Sequence, residues 1–404
     1  MHSLRALYQI GHGPSSSHTM GPAKAVRTIL DRHPKTTSLE ITLYNSLALT
    51  GKGHLTEEAI RETAAPLGVA FSTSIDLNKH PNTLVVNVTE GDLEPVSYEV
   101  QSVGGGRIVI VGEEESEPDV YPHRSFKEIK RYCKQENLTL FGYVVRMEGE
   151  SIITFLDSVW DAMQEAITRG LTSEGTLPGP LKLKRKAKIL HEKVLPVDAP
   201  EIVENRLVSS YAFAVSEENA AGGIIVTAPT CGACGVLPAV LHYMLGRYDF
   251  IDRSRVIEGL AVAGLFGNLI KHNASISGAV AGCQAEIGSA CSMAAAAHAT
   301  LFRLTPDQVE YAAEIAMEHH LGLTCDPVNG YVQIPCIERN AVAALRAIDA
   351  CGLSFFLTDT RKVSFDTVVK TMYQTGLDMH TSYKETSQGG LAHHYEEDDD
   401  VNCW

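Results

Sequence analysis

Leu39-Glu40-Ile41-Thr42-Leu43 alternates apolar and polar side chains with period two, the pattern of a strand with one face buried. The same alternation returns at Leu84, Val86 and Val88 and again at Val96, Tyr98 and Val100. Between the first two runs, Thr56 followed by Glu-Glu-Ala-Ile-Arg-Glu-Thr-Ala-Ala reads as a cap residue and a helix that stops before Pro66. Upstream, a helix should begin near Pro22 and bury Val26, Ile29 and Leu30 on one face. Downstream of a charged, proline-bearing loop (113–122) and a short amphipathic helix (126–133), strand signals largely cease. Helical periodicity then recurs over 155–168, 254–271, 284–302, 306–320 and 337–350. The fold class is therefore α+β and multidomain: an α/β domain over residues 1–150, then a large all-helical domain over 151–404.

With 404 residues, 44% apolar and 21% charged, the chain can bury a sizeable core without disulfides. Its 34 basic against 49 acidic residues give a net charge of -15, which opposes association with nucleic acid or an anionic lipid surface. Residues 1–10 lack the layout of an export signal. The longest uncharged stretch, 219–246, is broken by Gly and Pro and does not read as a membrane span. These features point to a cytoplasmic protein, where nine cysteines stay thiols and invite metal ligation or burial.

Cys283, Cys325 and Cys336 each lie beside a Gly or Pro at an expected helix end, where free backbone amides stabilise a thiolate. Three thiolates from separate segments suit three corners of an iron–sulfur cluster; burial as small apolar residues is the other reading that the spacing leaves open. Cys231 and Cys234 form a C-x-x-C with no matching partner pair, so a packing or substrate loop fits them better than zinc. Gly13-Pro14-Ser15-Ser16-Ser17-His18-Thr19 precedes a helix and suits binding of a carboxylate, with ordinary helix capping as its rival. Ser102-Val103-Gly104-Gly105-Gly106 lacks the pattern of a nucleotide loop. His54, His18 and His80 stand at strand or helix boundaries, where acid–base groups tend to sit.

Taken in order, these stretches, together with Ser46–His54, Thr227–Thr230, Asn273–Gly278, Cys325–Val328 and Lys384–Ser387, resemble the bacterial iron–sulfur L-serine dehydratases over nearly the whole chain. The resemblance implies a beta domain followed by a catalytic alpha domain in one polypeptide, and conversion of L-serine to pyruvate and ammonia without pyridoxal phosphate. It implies a 4Fe-4S cluster held by Cys283, Cys325 and Cys336, with Cys403 near the C-terminus as a displaceable fourth ligand. It points to His54 as the base, to His18 and His80 beside it, and to Ser15, Ser16, Ser17, Thr19, Asn273 and Ser275 as substrate contacts. A homodimer is the implied assembly. L-Threonine or L-cysteine as substrate, or a non-catalytic serine sensor, are the alternatives.

Overall fold

The computed structural model describes residues 1–113, 119–193 and 199–396. In chain order the elements of the first part are β1 (Ile10–His12), α1 (Gly21–Arg32), β2 (Ser38–Tyr44), α2 (Asn45–Thr50), α3 (Thr56–Ala64), β3 (Val69–Ser74), β4 (Thr83–Thr89), β5 (Val96–Gly104) and β6 (Arg107–Ile110). Helices then dominate: α4 (Phe126–Glu136), α5 (Leu140–Glu148), α6 (Ser151–Thr172), α7 (Ala187–Glu192) and α8 (Pro200–Ala220). After β7 (Ile224–Val226) come α9 (Val236–Arg247), α10 (Arg253–Asn273), α11 (Gly278–Ala281), α12 (Ser289–Leu301), α13 (Pro306–Glu318), α14 (Cys336–Leu357), α15 (Phe365–Asp378) and α16 (Leu391–His394).

β2 to β6 form one sheet in the order β3-β2-β4-β5-β6, parallel between β2 and β3 and antiparallel elsewhere. Its period-two residues Leu39, Ile41, Leu43, Leu84, Val86, Val88 and Val100 turn inward against Ala25, Val26 and Ile29 of α1 and Ile60 of α3. Val96 is exposed instead, at the start of its strand, and Tyr98 is half-buried, its hydroxyl 2.8 Å from His33 Nε2. The α3 N-terminus differs from the sequence reading. Leu55, in the left-handed region (φ 53°), takes the cap position, and Thr56 is the first helical residue.

The second core is helical and draws in more of the chain than its periodicity announces. Met1, Leu4, Leu7 and Tyr8 are buried in it, as are Tyr121, Phe126 and Ile129. The boundary read at residue 150 falls between α5 and α6, two neighbouring helices of this same core. α12 is buried almost all round, and its run of alanines lets α10, α13 and α14 approach it closely. Helix ends follow side-chain chemistry: Ser125 with Glu128 and Thr305 with Gln308 make reciprocal capping pairs at α4 and α13. Among the described residues one segment, Cys336–Thr360, is long and apolar enough to cross a membrane, and 39% of its most apolar stretch is buried inside the protein.

β7 is a strand within the stretch read as all-helical. It pairs antiparallel with β1, setting Ile10 opposite Val226 and His12 opposite Ile224. Thr227 extends the join: its hydroxyl donates to Leu7 O (2.7 Å) and accepts from Gln9 N (2.9 Å). The residues leading into the serine-rich loop are thereby fixed to the helical core rather than to the sheet.

Candidate active site

A cavity of about 630 Å³ opens between the sheet and the helical core. Ser15, Ser16, Ser17, His18, His54, His80, Ser275, Cys283, Cys325 and Cys336 line it, so most of the sequence-derived residues meet on one surface. Ser16–Met20 form a short π-helical turn that runs directly into α1. Ser15 begins that turn, its Oγ accepting from His18 N at 3.1 Å. Hydroxyls are thus gathered at the start of a helix, where peptide dipoles favour an anion.

The two histidines stand ring to ring, centroids 4.5 Å apart and planes inclined by 31°. His18 lies between two hydroxyls, Ser17 Oγ at Nδ1 and Ser46 Oγ at Nε2, each 2.9 Å away. His54 Nδ1 is 3.0 Å from Thr50 O. A carbonyl oxygen only accepts, so in the neutral ring Nδ1 carries the proton and Nε2 keeps the lone pair. Burial lowers the pKa of His54, opposed by the bond to Thr50, and burial together with His54 holds His18 well below the usual histidine range. His80 Nδ1 accepts from Asn82 N (3.2 Å), which leaves the proton on its Nε2, and burial lowers its pKa as well.

The thiols occupy the opposite wall. Cys283 precedes a π-helical turn (Gln284–Gly288) continuous with α12, and Cys336 is the first residue of α14. Cys325 is stitched to the loop after α15: its N donates to Tyr383 O (2.8 Å) and its O accepts from Glu385 N (2.7 Å). The Cys325 thiol donates to Glu286 Oε2 (3.7 Å); the neighbouring Cys283 and burial raise its pKa well above the ordinary thiol value, and burial and Cys283 raise that of Cys336. Arg339, whose charge interacts with Cys283, is held by Thr324 O (2.6 Å) and Asp326 Oδ1 (2.9 Å).

Among the described residues no three His, Cys, Asp or Glu side chains converge on a single metal ion. A cluster takes one thiolate per iron, so its ligands line a cavity instead of meeting at a point. The three cysteines fit that demand: free thiols, buried or nearly so, on one cavity wall beside a guanidinium able to offset thiolate charge. Cys403 lies outside the described residues.

Two sequence-derived contacts sit elsewhere. The Asn273 carboxamide is spent on Arg124 O (2.8 Å) and Leu269 O (2.9 Å), away from the cavity lining. Thr19 holds the loops together, its Oγ1 donating to His54 O (2.6 Å) and accepting from Ser15 N (3.2 Å). Conversely, the cavity holds groups the sequence reading did not single out. Glu286 is half-buried and takes a 2.8 Å bond from Thr230 Oγ1; Glu385 is close enough to act on it, and desolvation raises the pKa of both. Lys271, at the end of α10, lines the cavity and donates to Ala6 O (3.1 Å). A lone carboxylate in the apolar run after Cys283 was the one available signal for Glu286.

Gly278 explains why this wall tolerates no side chain. A Cβ there would stand 2.7 Å from Glu286 Oε2 and 2.9 Å from Cys325 Sγ. Gly278→Ala should therefore displace the Cys325 thiol and destabilise the fold by about 1–3 kcal/mol, as overpacking does. Chemical denaturation and thiol accessibility check this; unchanged midpoint and accessibility would contradict it.

The serine dehydratase alpha chain profile matches residues 56–392, and the serine dehydratase beta chain profile matches residues 3–64. The chain is 40% identical to L-serine dehydratase 2 of Escherichia coli (strain K12), across 97% of this chain and 98% of that protein. It is 39% identical to the L-serine dehydratase of Haemophilus influenzae, across 97% and 99%, and 40% identical to that of Streptomyces coelicolor, across 96% and 98%. The alpha-chain match takes in β3 to β6, so the division between the two profiles runs through the sheet domain rather than beside it. A chain matched over residues 3–392 by the two profiles, and over nearly its whole length by such relatives, belongs to the serine dehydratase family, of the bacterial kind that carries the beta and alpha regions fused in one polypeptide.

Proposed function

We propose that this chain is an L-serine ammonia-lyase, splitting L-serine into pyruvate and ammonia. The observation that carries the reading is the meeting of His54 Nε2, its lone pair free, with the thiols of Cys283, Cys325 and Cys336 on one cavity. Cys283, Cys325 and Cys336 would hold a 4Fe-4S cluster. Bound there, the cluster supplies Lewis acidity toward the substrate hydroxyl, the chemistry that a poor leaving group needs.

The chain's own groups supply the rest. Ser15, Ser16 and Ser17, at the start of the helix, bind the substrate carboxylate and fix the amino acid in one orientation. His54 Nε2 takes the Cα proton, and the bond from Nδ1 to Thr50 O steadies the imidazolium that results. Loss of hydroxide as water leaves aminoacrylate, which tautomerises and hydrolyses in solution. His18, wedged between two hydroxyls, keeps the His54 ring in place, and His80 closes the sheet side of the cavity. Thiols of this kind need a reducing, cytoplasmic setting, and a second copy of the chain is the proposed partner.

Release of pyruvate and ammonia in equal amounts from L-serine by anaerobically prepared protein tests the reading. Binding without turnover would favour a sensor, and faster turnover of L-threonine or L-cysteine would move the substrate. The pH profile adds a second check. His54 acts as a base only when neutral, and burial lowers its pKa, so protonation sets in at a lower pH than for a free imidazole. The acid limb of kcat/KM should have its half-point below the ordinary histidine value of 6.5. A half-point at or above that value would assign the base elsewhere.

A further inference from the structure

One charged side chain behind the thiol wall has no part in the chemistry proposed above. Arg339 stands three residues after Cys336, about one turn along α14, so the two share a face of that helix. Its guanidinium reaches the segment that carries Cys325 and holds it on both sides of that cysteine. Nη1 donates to Thr324 O (2.6 Å) and Nη2 to Asp326 Oδ1 (2.9 Å). Asp326 is fixed in turn, its Oδ2 accepting from Leu391 N at 2.8 Å. Both side chains are largely withdrawn from solvent, Arg339 being 17% and Asp326 3% exposed. Arg339 is not part of the cavity lining, and both its Nη atoms are engaged by protein oxygens, so it is no clamp for the substrate.

What such a group still offers is its charge. That charge acts on Cys283 and Cys336, and Cys325 lies between the two residues that hold the guanidinium, so all three cysteines stand in its field. Three thiolates bring three negative charges to the wall, and the carboxyls of Glu286 and Glu385, which act on Cys325 and Cys336, can only add to them. We propose that Arg339 is a positioning residue for the cluster, its fixed positive charge raising the reduction potential of the metal group held by Cys283, Cys325 and Cys336 and so guarding that group against oxidation. The inference rests on the cluster reading given above. A nearby cation favours the more electron-rich state of a cluster, and in a site of low dielectric the effect is large. The step resisted is a balanced one. A one-electron oxidant such as ferricyanide takes an electron from a 2+ core and becomes ferrocyanide; the 3+ core then releases its one iron without a protein ligand as Fe²⁺, leaving a [3Fe-4S]⁺ core. A mere tie between two segments would ask for hydrogen bonds and be indifferent to the sign of the charge.

Arg339→Gln, Arg339→Lys and Asp326→Asn, prepared anaerobically beside the wild type and assayed for iron and sulfide, test this without reference to activity. Each is titrated with dithionite, which delivers one electron to the 2+ core and gives a 1+ core read by electron paramagnetic resonance. Arg339→Gln should lower the midpoint by about 59 mV or more, a tenfold change in a one-electron equilibrium, and should speed the bleaching of cluster absorption by ferricyanide at least tenfold. Arg339→Lys loses the planar fork but keeps the charge, and should stay nearer the wild type than Arg339→Gln on both measures. Asp326→Asn keeps an acceptor for Nη2 while removing a negative charge, and should move the midpoint the opposite way, upward. Shifts of opposite sign are what loosened packing does not produce. The proposal is overturned if loaded Arg339→Gln keeps the wild-type midpoint, if Arg339→Lys shifts as far as Arg339→Gln, or if Asp326→Asn does not raise the midpoint. Should Arg339→Gln take up no iron, the sign of the Asp326→Asn shift decides; loss of iron from Arg339→Lys as well overturns the proposal, since that variant keeps the charge. Absence of iron and sulfide from the wild type would instead overturn the cluster reading, and this inference with it.

Discussion

His54→Ala should lower kcat on L-serine by about 10²–10⁴-fold, the usual worth of a positioned base, while leaving fold and iron content unchanged. The contacts that hold the His54 loop survive the substitution. Thr19 Oγ1 bonds the backbone oxygen of residue 54, and residue 54's amide bonds Thr50 O and Gly51 O. What disappears is the ring, and with it the free Nε2. His18 is a poor substitute because both its nitrogens face serine hydroxyls at 2.9 Å. His18→Ala should cost less in kcat than His54→Ala. Turnover near wild type in His54→Ala would reassign the base, and the iron assay run beside it separates that outcome from loss of the cluster.

Cys283→Ala, Cys325→Ala and Cys336→Ala should each reduce iron and sulfide in anaerobically prepared protein to near background and abolish turnover. Cys291→Ala and Cys351→Ala should retain both. The contrast follows from position. Cys291 and Cys351 are wholly buried inside α12 and α14, and burial pushes the Cys351 thiol up to about 12, so it stays protonated and inert. The other three line the cavity and interact with one another. Iron determination together with the visible absorption of the cluster reads the result. Full iron in any one of the three cavity variants would remove that residue from the ligand set. Cys231→Ala is the sharpest control: it lines the same cavity, yet its sulfur is 3.8 Å from Met20 Sδ on the serine-loop side, and its iron content should match the wild type.

How far the sequence could be read depended on how each element is buried. Strands with one face covered announce themselves, and Leu39, Ile41, Leu43, Leu84, Val86 and Val88 all turned inward as the alternation requires. α8 was not legible because its residues 212–220 are buried consecutively, so no 3.6-residue contrast exists between two faces. β1 and β7 are three residues each and some 200 residues apart, too short for any period to show. Within the site, the serines, His18, His54 and the cavity cysteines were legible because special loops gather them. Asn273 and Thr19 belong to equally distinctive stretches, but their side chains satisfy backbone groups nearby, a fate that residue type alone does not reveal. Arg339 and Lys271 were hidden in ordinary helical pattern and gain meaning only from what the fold sets opposite them.

The pairing of β1 with β7 bears on how such enzymes can be recombined. Because the strand leading into the serine loop is completed by residues from the distant half, the N-terminal lobe is not a cassette that can be transplanted by cutting at a linker. A chimaera joining this lobe to a relative's helical body would have to bring 219–227 along with it, since Asn219 also braces Pro14 O (3.2 Å). Exchange of the two halves between relatives would face the same geometric constraint at this seam.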